Sequence, residues 1–189
     1  MLRDQGAPRP EEKRATPGAV GVLSSRRHWR CEAGVVAIRA RATAPQVPVV
    51  VAGEDFRSDY ADGFIVERVS ARPPEAWARQ TLEQGPAALR WFVTFGWRYV
   101  LGLHLARGRS ADHVAGWRVV RSDADVVVLA VDSGMLGRCR LTFTAGESSA
   151  TAGSNLEFTR PGARAIWSVA GLLHRRILPS LFGHAARSA

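Results

Sequence analysis

The spacing of apolar and polar positions changes period several times along the chain. Gly63 to Val69 alternates with a period of two, Phe64 and Val66 on one face and Ile65 on the other. Bounded by Asp62 and by Ser70 and the Pro73-Pro74 pair, it reads as a first strand. Pro74 suits a first helical turn and Glu75 its positive end, which predicts a helix over 74–84 that Gly85 stops. Pro86 opens a second helix, in which Leu89, Phe92, Val93, Gly96, Val100 and Leu103 recur at spacings of three and four. Trp91, Trp97 and Tyr99 widen that apolar surface, and the helix is expected to reach Leu105, ahead of the polar stretch 107–112.

From His113 the period returns to two. The runs 114–121, 125–132, 136–144 and 150–160, with turns between them, predict an antiparallel meander. Arg138, Arg140, Thr142 and Thr144 alternate with Cys139, Leu141 and Phe143, and Asn155, Glu157 and Thr159 alternate with Leu156 and Phe158, so each strand has a wet and a dry face. After Pro161 and Gly162, the residues Ala165, Ile166, Val169, Ala170, Leu173 and Ile177 mark one face of a long C-terminal helix. Arg164, Ser168 and Arg175 fall off that face, and Pro179 is expected to kink or stop the helix. The fold class is α+β: a strand, two helices, four or five strands, then a long amphipathic helix.

Residues 1–45 mix Pro, Gly, Ala, Ser and Arg without sustained periodicity, leaving too little apolar surface to offset the entropy of ordering them. They are expected to be a disordered Arg-rich leader, with an overextended start codon as the other explanation, ahead of one folded domain over 46–189. A chain of 189 residues fits a single domain of this kind.

The net charge of +9 is the unusual figure of the composition. Nine basic residues against four acidic ones in 1–45 account for +5 of it, leaving +4 for the folded part. The only lysine is Lys13, an Arg skew that GC-rich codon usage produces without selection for binding. This distribution argues against nucleic acid as the partner. No stretch reads as a transmembrane helix: Gln46 to Ala52 is too short, and Ala163 to Phe182 is broken by His174, Arg175 and Arg176. The N-terminus lacks the apolar core of a secretory signal, which makes the cytoplasm the expected compartment. Peripheral contact with anionic lipid stays open for the basic cluster 174–176 beside Leu172, Leu173, Ile177 and Leu178.

Phosphate-cradling glycine loops, glycine-flanked serine elbows and paired metal-binding histidines are absent from the sequence. Cys31 and Cys139 have neither the spacing of a zinc site nor that of a probable disulfide, so no metal and no cofactor are expected. Dispersed candidates for chemistry are the adjacent Asp112 and His113, the carboxylates Asp132 and Glu157, and Arg138 with Arg140 for phosphate. Each has a plainer reading as a turn, strand-end or solvated residue, and His174 as a cation at the negative end of a helix.

The runs Asp59-Tyr60-Ala61-Asp62-Gly63-Phe64, Asp112-His113-Val114-Ala115-Gly116-Trp117 and His174-Arg175-Arg176-Ile177-Leu178-Pro179, with the element order, resemble the helix-grip fold of the START-like (SRPBCC) superfamily. More narrowly they look like an uncharacterised bacterial branch of it, over about 55–187. The strand count falls short of the seven of a full helix-grip sheet, which points to a further strand at Val49 to Val51 or to a reduced sheet. Asp132 to Gly137 is also richer in glycine than the family suggests.

The resemblance implies a cavity between sheet and C-terminal helix for a small hydrophobic or amphipathic molecule, in some branches with cyclase, hydrolase or dehydratase chemistry. The residues themselves offer a lining: Trp117, Leu141, Phe143, Leu156 and Phe158 of the sheet, opposed by Ile166, Val169 and Leu173. A filled core would use the same residues. The leading expectation is a non-catalytic carrier or sensor. The alternatives are a cyclase- or dehydratase-type enzyme in the same cavity, and a module that binds nucleic acid or anionic membrane through arginines.

Overall fold

The computed structural model describes residues 38–41, 56–67, 71–108, 110–147 and 149–188, the first of these groups as backbone only. Their elements follow in the order β1 (Ile38–Arg41), β2 (Tyr60–Glu67), α1 (Pro74–Glu83), α2 (Ala87–Phe95), β3 (His113–Val114), β4 (Trp117–Ser122), β5 (Val126–Ser133), β6 (Gly137–Ala145), β7 (Ser149–Phe158) and α3 (Ala163–Arg187). A π-helical turn, Gly96–Val100, continues α2. All pairings are antiparallel, and the strands form one sheet in the order β1-β2-β7-β6-β5-β4-β3. With two helices inserted after β2 and the 25-residue α3 laid against the sheet, this is a helix-grip α+β fold.

The two helices divide the inner face of the sheet between them. α1 packs over β5 and β6 and beside β3, while α3 packs over β1, β2 and β7 and against α1. Under α1 the sheet offers Val127, Leu129, Leu141 and Phe143, all buried, and α1 answers with Trp77, Ala78 and Leu82. Phe182 of α3 closes this region, its ring 5.8 Å from Trp77 and 6.2 Å from Phe143 in edge-on contacts that suit the aromatic quadrupole. Gln80 fixes the helix pair, its amide donating to the Ala185 carbonyl at 3.2 Å. Arg79 ties α1 to the β3–β4 hairpin by donating to the Ala111 and His113 carbonyls. Ala115 and Gly116 at the tip of that hairpin take φ of 51° and 86°, the two positive values a two-residue turn of this handedness requires.

Several boundaries differ from expectation. β1 lies inside the stretch 1–45 assigned to a leader, so Ile38–Arg41 belongs to the sheet; the rest of that stretch, and the strand expected at Val49 to Val51, lie outside the described residues. With β1 and the two-residue β3 the described sheet reaches seven strands. The second helix ends at Val100 rather than Leu105. Gly102, at φ 60°, breaks it, and the chain runs on beside the β5–β6 hairpin, with a bridge from Leu103 to Ser133 and His104 N–H donating to the Asp132 carbonyl at 2.9 Å. Leu103 and Leu105 therefore reach the core from an extended segment, and the helical spacing of Leu103 is coincidental. Pro179 does not end α3, which continues through it to Arg187.

The glycine-rich segment 132–137 is a tight hairpin. Ser133 Oγ donates to the Leu101 carbonyl and accepts from the amides of Met135 and Leu136. Gly137 sits at φ 127°, where a Cβ would lie 2.3 Å from the Glu157 carbonyl and 2.6 Å from Thr159 Oγ1. Gly146, in the β6–β7 hairpin, has 3.6 Å of room. Gly137→Ala is therefore expected to destabilise the fold by at least about 1 kcal/mol, and Gly146→Ala by less than about 0.5 kcal/mol. Urea midpoints of the two variants check this, and equal midpoints would contradict the close approach of β6 and β7.

Candidate functional site

The sheet face beneath the first half of α3 differs from the apolar face beneath α1. β2 and β7 pair Tyr60 with Leu156, Asp62 with Ser154 and Phe64 with Ala152, and these positions share the inner face. Two consecutive inward positions of β2 are thus polar, Tyr60 and Asp62, before Phe64 and Val66 restore the apolar alternation. The helix laid over them must supply polar partners as well as cover.

α3 meets that demand with a stripe of Ala163, Trp167, Gly171, His174 and Leu178, of which all but the half-buried His174 are buried. His174 Nε2 lies 3.0 Å from Ser154 Oγ and 3.5 Å from Asp62 Oδ2. Tyr60 Oη donates to Asp62 Oδ2 at 2.7 Å and accepts from Arg175 Nε at 3.1 Å, while the Arg175 guanidinium lies over the Tyr60 ring at 5.6 Å. Around the polar atoms stand aromatic rings: Trp167 is 5.2 Å from both Tyr60 and His174, and Phe64 is 6.4 Å from His174. Gly171 leaves space for the indole, since a Cβ there would come within 3.2 Å of Trp167 Nε1.

Two buried polar atoms of this seam have no hydrogen-bond partner among the described residues: the acceptor Asp62 Oδ1 and the donor Trp167 Nε1. Burial pushes the Asp62 carboxyl up, but the hydrogen bonding and charge of His174, with Tyr60 and Ser154, outweigh it and hold the group below its ordinary value. Burial and the neighbouring Asp62 charge push the Tyr60 phenol up to about 12, so it stays a donor at neutral pH. A second acid, Asp59, pins the mouth of the seam. It accepts from the Phe158 amide at 3.0 Å and from Arg164 at 2.9 Å, joining β2, β7 and the first turn of α3.

The lining expected from the sequence is dispersed by the structure. Trp117, Leu141, Phe143 and Leu156 belong to one continuous core, Trp117 with its ring 5.3 Å from Trp97. Phe158 and Ile166 are half-buried at the edge of that core, and Arg164 covers the Phe158 ring. Val169 and Leu173 do not oppose the sheet at all: they are 72% and 48% exposed. The aliphatic side chains of α3 suggest one phase, but the polar sheet beneath selects another, with Trp167 and His174 inward.

The dispersed candidates do not meet either. Asp112 is on the surface, its amide donating to Ser110 Oγ and its carbonyl accepting from the Val119 amide, and Asp132 is exposed. Glu157 pairs with Arg138 at 2.6 Å on the outer face, where Arg140 stacks on Phe56 at 4.3 Å. Cys139 is buried, and burial pushes its thiol up to about 12, which makes it inert packing. Of the candidates only His174 is in the seam. Tyr60, Asp62 and Ser154 went unmarked because the first strand was begun at Gly63; continuing its alternation back to Tyr60 is the signal that finds two of them.

No family model matches the chain, and no curated protein matches it. Among solved structures, the crystal structure of Ara h 8.0201 is similar at 11% sequence identity and a TM-score of 0.35, over 67% of this chain and 98% of that chain. No helix among the described residues is long and apolar enough to cross a membrane.

The depressed Asp62 value has a pH signature. With the folded value below the unfolded one, its stabilisation is whole above about pH 4, the unfolded value, and is lost as pH falls through the folded value. Asp62→Asn is expected to lower stability by about 1–3 kcal/mol at neutral pH and to flatten the acid limb relative to wild type. Denaturant titrations across the acid range check both; parallel curves for the two proteins would place the carboxylate outside the linkage.

Proposed function

We propose that this chain is a START-like (SRPBCC) helix-grip protein that binds, without transforming it, a small amphipathic molecule carrying a hydroxyl at the seam of β2, β7 and α3. The observation that carries this reading is the coexistence there of an unpartnered buried acceptor, Asp62 Oδ1, and an unpartnered buried donor, Trp167 Nε1. Each such atom costs about 1–3 kcal/mol when left unpaired, and a hydroxyl, donor and acceptor at once, is the simplest group that serves both. The rings of Tyr60, Phe64 and Trp167 around His174 offer contact for an apolar body. Entry requires α3 to part from β2, and the exposed Arg175, bound to Tyr60 Oη, is the outermost contact to break.

The superfamily reading is supported by the fold's own topology, and by the way two of the three quoted sequence phrases, 59–64 and 174–179, meet at the seam. The third, 112–117, forms the hairpin that docks on α1. The bacterial branch is part of the same proposal. A second reading, a cyclase- or dehydratase-type enzyme, is favoured by one feature: His174 Nε2 lies between a carboxylate and a hydroxyl, a position from which an imidazole moves protons.

Native mass spectrometry of the full chain, as purified and after incubation with hydroxylated hydrophobic molecules, tests the proposal. The expected result is a stoichiometric adduct, released chemically unchanged, whose affinity drops about tenfold or more in Asp62→Asn, the equivalent of roughly 1.4 kcal/mol. Release of an altered molecule selects the enzyme instead. Adducts indifferent to Asp62→Asn would overturn the seam as the site.

A further inference from the structure

α2 and its π-helical turn contribute no buried residue to the described fold, although they carry five large aromatic rings. Trp97 alone turns inward, edge-on to Trp117. Trp91, Phe95 and Tyr99, each four residues from the next, form an outward stack with ring centroids 5.4 and 4.9 Å apart. Trp91 is 67% exposed and Tyr99 68%, with Phe92 and Val100 exposed beside them. A contiguous apolar patch of this kind marks a contact surface rather than ordinary scatter.

Charge identifies the contact. Between Glu83 and Asp112 the sequence has no acidic residue but carries Arg90, Arg98, Arg107, Arg109 and His104. Arg98, next in sequence to Tyr99 on the π turn, donates to the Leu105 carbonyl at 2.9 Å and with Gly102, His104 and Gly134 lines an open cleft of about 420 Å³. Aromatic rings flanked by arginine, on a segment that itself carries no acid, suit the headgroup region of an anionic bilayer, where each basic residue contributes about 1 kcal/mol. A second copy of the chain would bring the same positive charge against itself.

We infer that α2 and its π turn dock this protein on an anionic phospholipid membrane, with Trp91, Phe95 and Tyr99 entering the interface and the Arg98–His104 cleft receiving a lipid phosphate. Vesicle co-sedimentation of the full chain tests this with pure phosphatidylcholine and with mixed phosphatidylcholine and phosphatidylglycerol vesicles. The expected result is binding at least about tenfold tighter to the mixed vesicles. Trp91→Ala/Phe95→Ala/Tyr99→Ala should reduce it about tenfold or more with an unchanged circular dichroism spectrum. The single variant Tyr99→Glu should act in the same direction, and Arg98→Gln should lessen the preference for phosphatidylglycerol. Wild-type affinity in both aromatic variants would overturn the proposal, since the basic residues of 1–45 would then account for the binding. Absence of vesicle binding would overturn it too, as would dimerisation through this face or a preference for nucleic acid that the aromatic variants abolish.

Discussion

A carboxylate placed under a helix costs several kcal/mol unless charge and hydrogen bonds compensate it, and the half of the sheet that α3 covers is organised around that cost. Asp62 is held by Tyr60 from its own strand and faces His174 from the helix, which also reaches Ser154 on β7. β2 is thereby joined to the consecutive β7 and α3, about 90 residues or more further along the chain, in one small polar group. The rotation of α3 follows from it: Trp167 and His174 turn inward and Val169 and Leu173 outward, because an apolar face over Asp62 would leave the carboxylate uncompensated. Asp59 extends the same arrangement to the first turn of the helix.

The other half of the sheet obeys a different constraint. α1 lies directly on β5 and β6, and Trp77, Phe143 and Phe182 fill the space between sheet and helices. The α1 end is occupied by buried residues of one continuous core. Buried polar atoms without a partner occur at both ends among the described residues, at Trp77, Thr81 and Trp117 as well as in the seam, but the seam alone sets such an acceptor, on Asp62, beside such a donor, on Trp167, where packing is polar and aromatic at once. The proposed ligand site at the seam and the proposed membrane-docking face of α2 use different residues and different chemistry, hydrogen bonding in the first and aromatic and basic groups in the second.

Much of the architecture was legible from periodicity. The alternations in β6 and β7, the start of α1 at Pro74 and the start of α3 after Gly162 follow from local chemistry that packing reinforces. Where packing overrode local signals, sequence reading failed. The spacing of Leu103 continued a helical pattern, but Gly102 and the Ser133 hairpin drew the segment into an extended path. β1 was hidden among Pro, Gly and Arg, and its place is set by pairing with β2 rather than by its own pattern. The seam was hidden for a similar reason. Aliphatic residues on α3 gave a clear apolar face, and only the sheet beneath, with Tyr60 and Asp62 turned inward, shows that the Trp167–His174 stripe is the one buried.

The coupling of Asp62 to His174 across the sheet–helix seam is measured most directly by a double-mutant cycle of Asp62→Asn and His174→Gln, read as unfolding free energy at neutral pH. A seam that seats α3 through this pair predicts an interaction of at least about 1 kcal/mol between the two substitutions. Effects that add within about 0.3–0.5 kcal/mol would contradict it and leave the seating of α3 to its apolar contacts and its other hydrogen bonds.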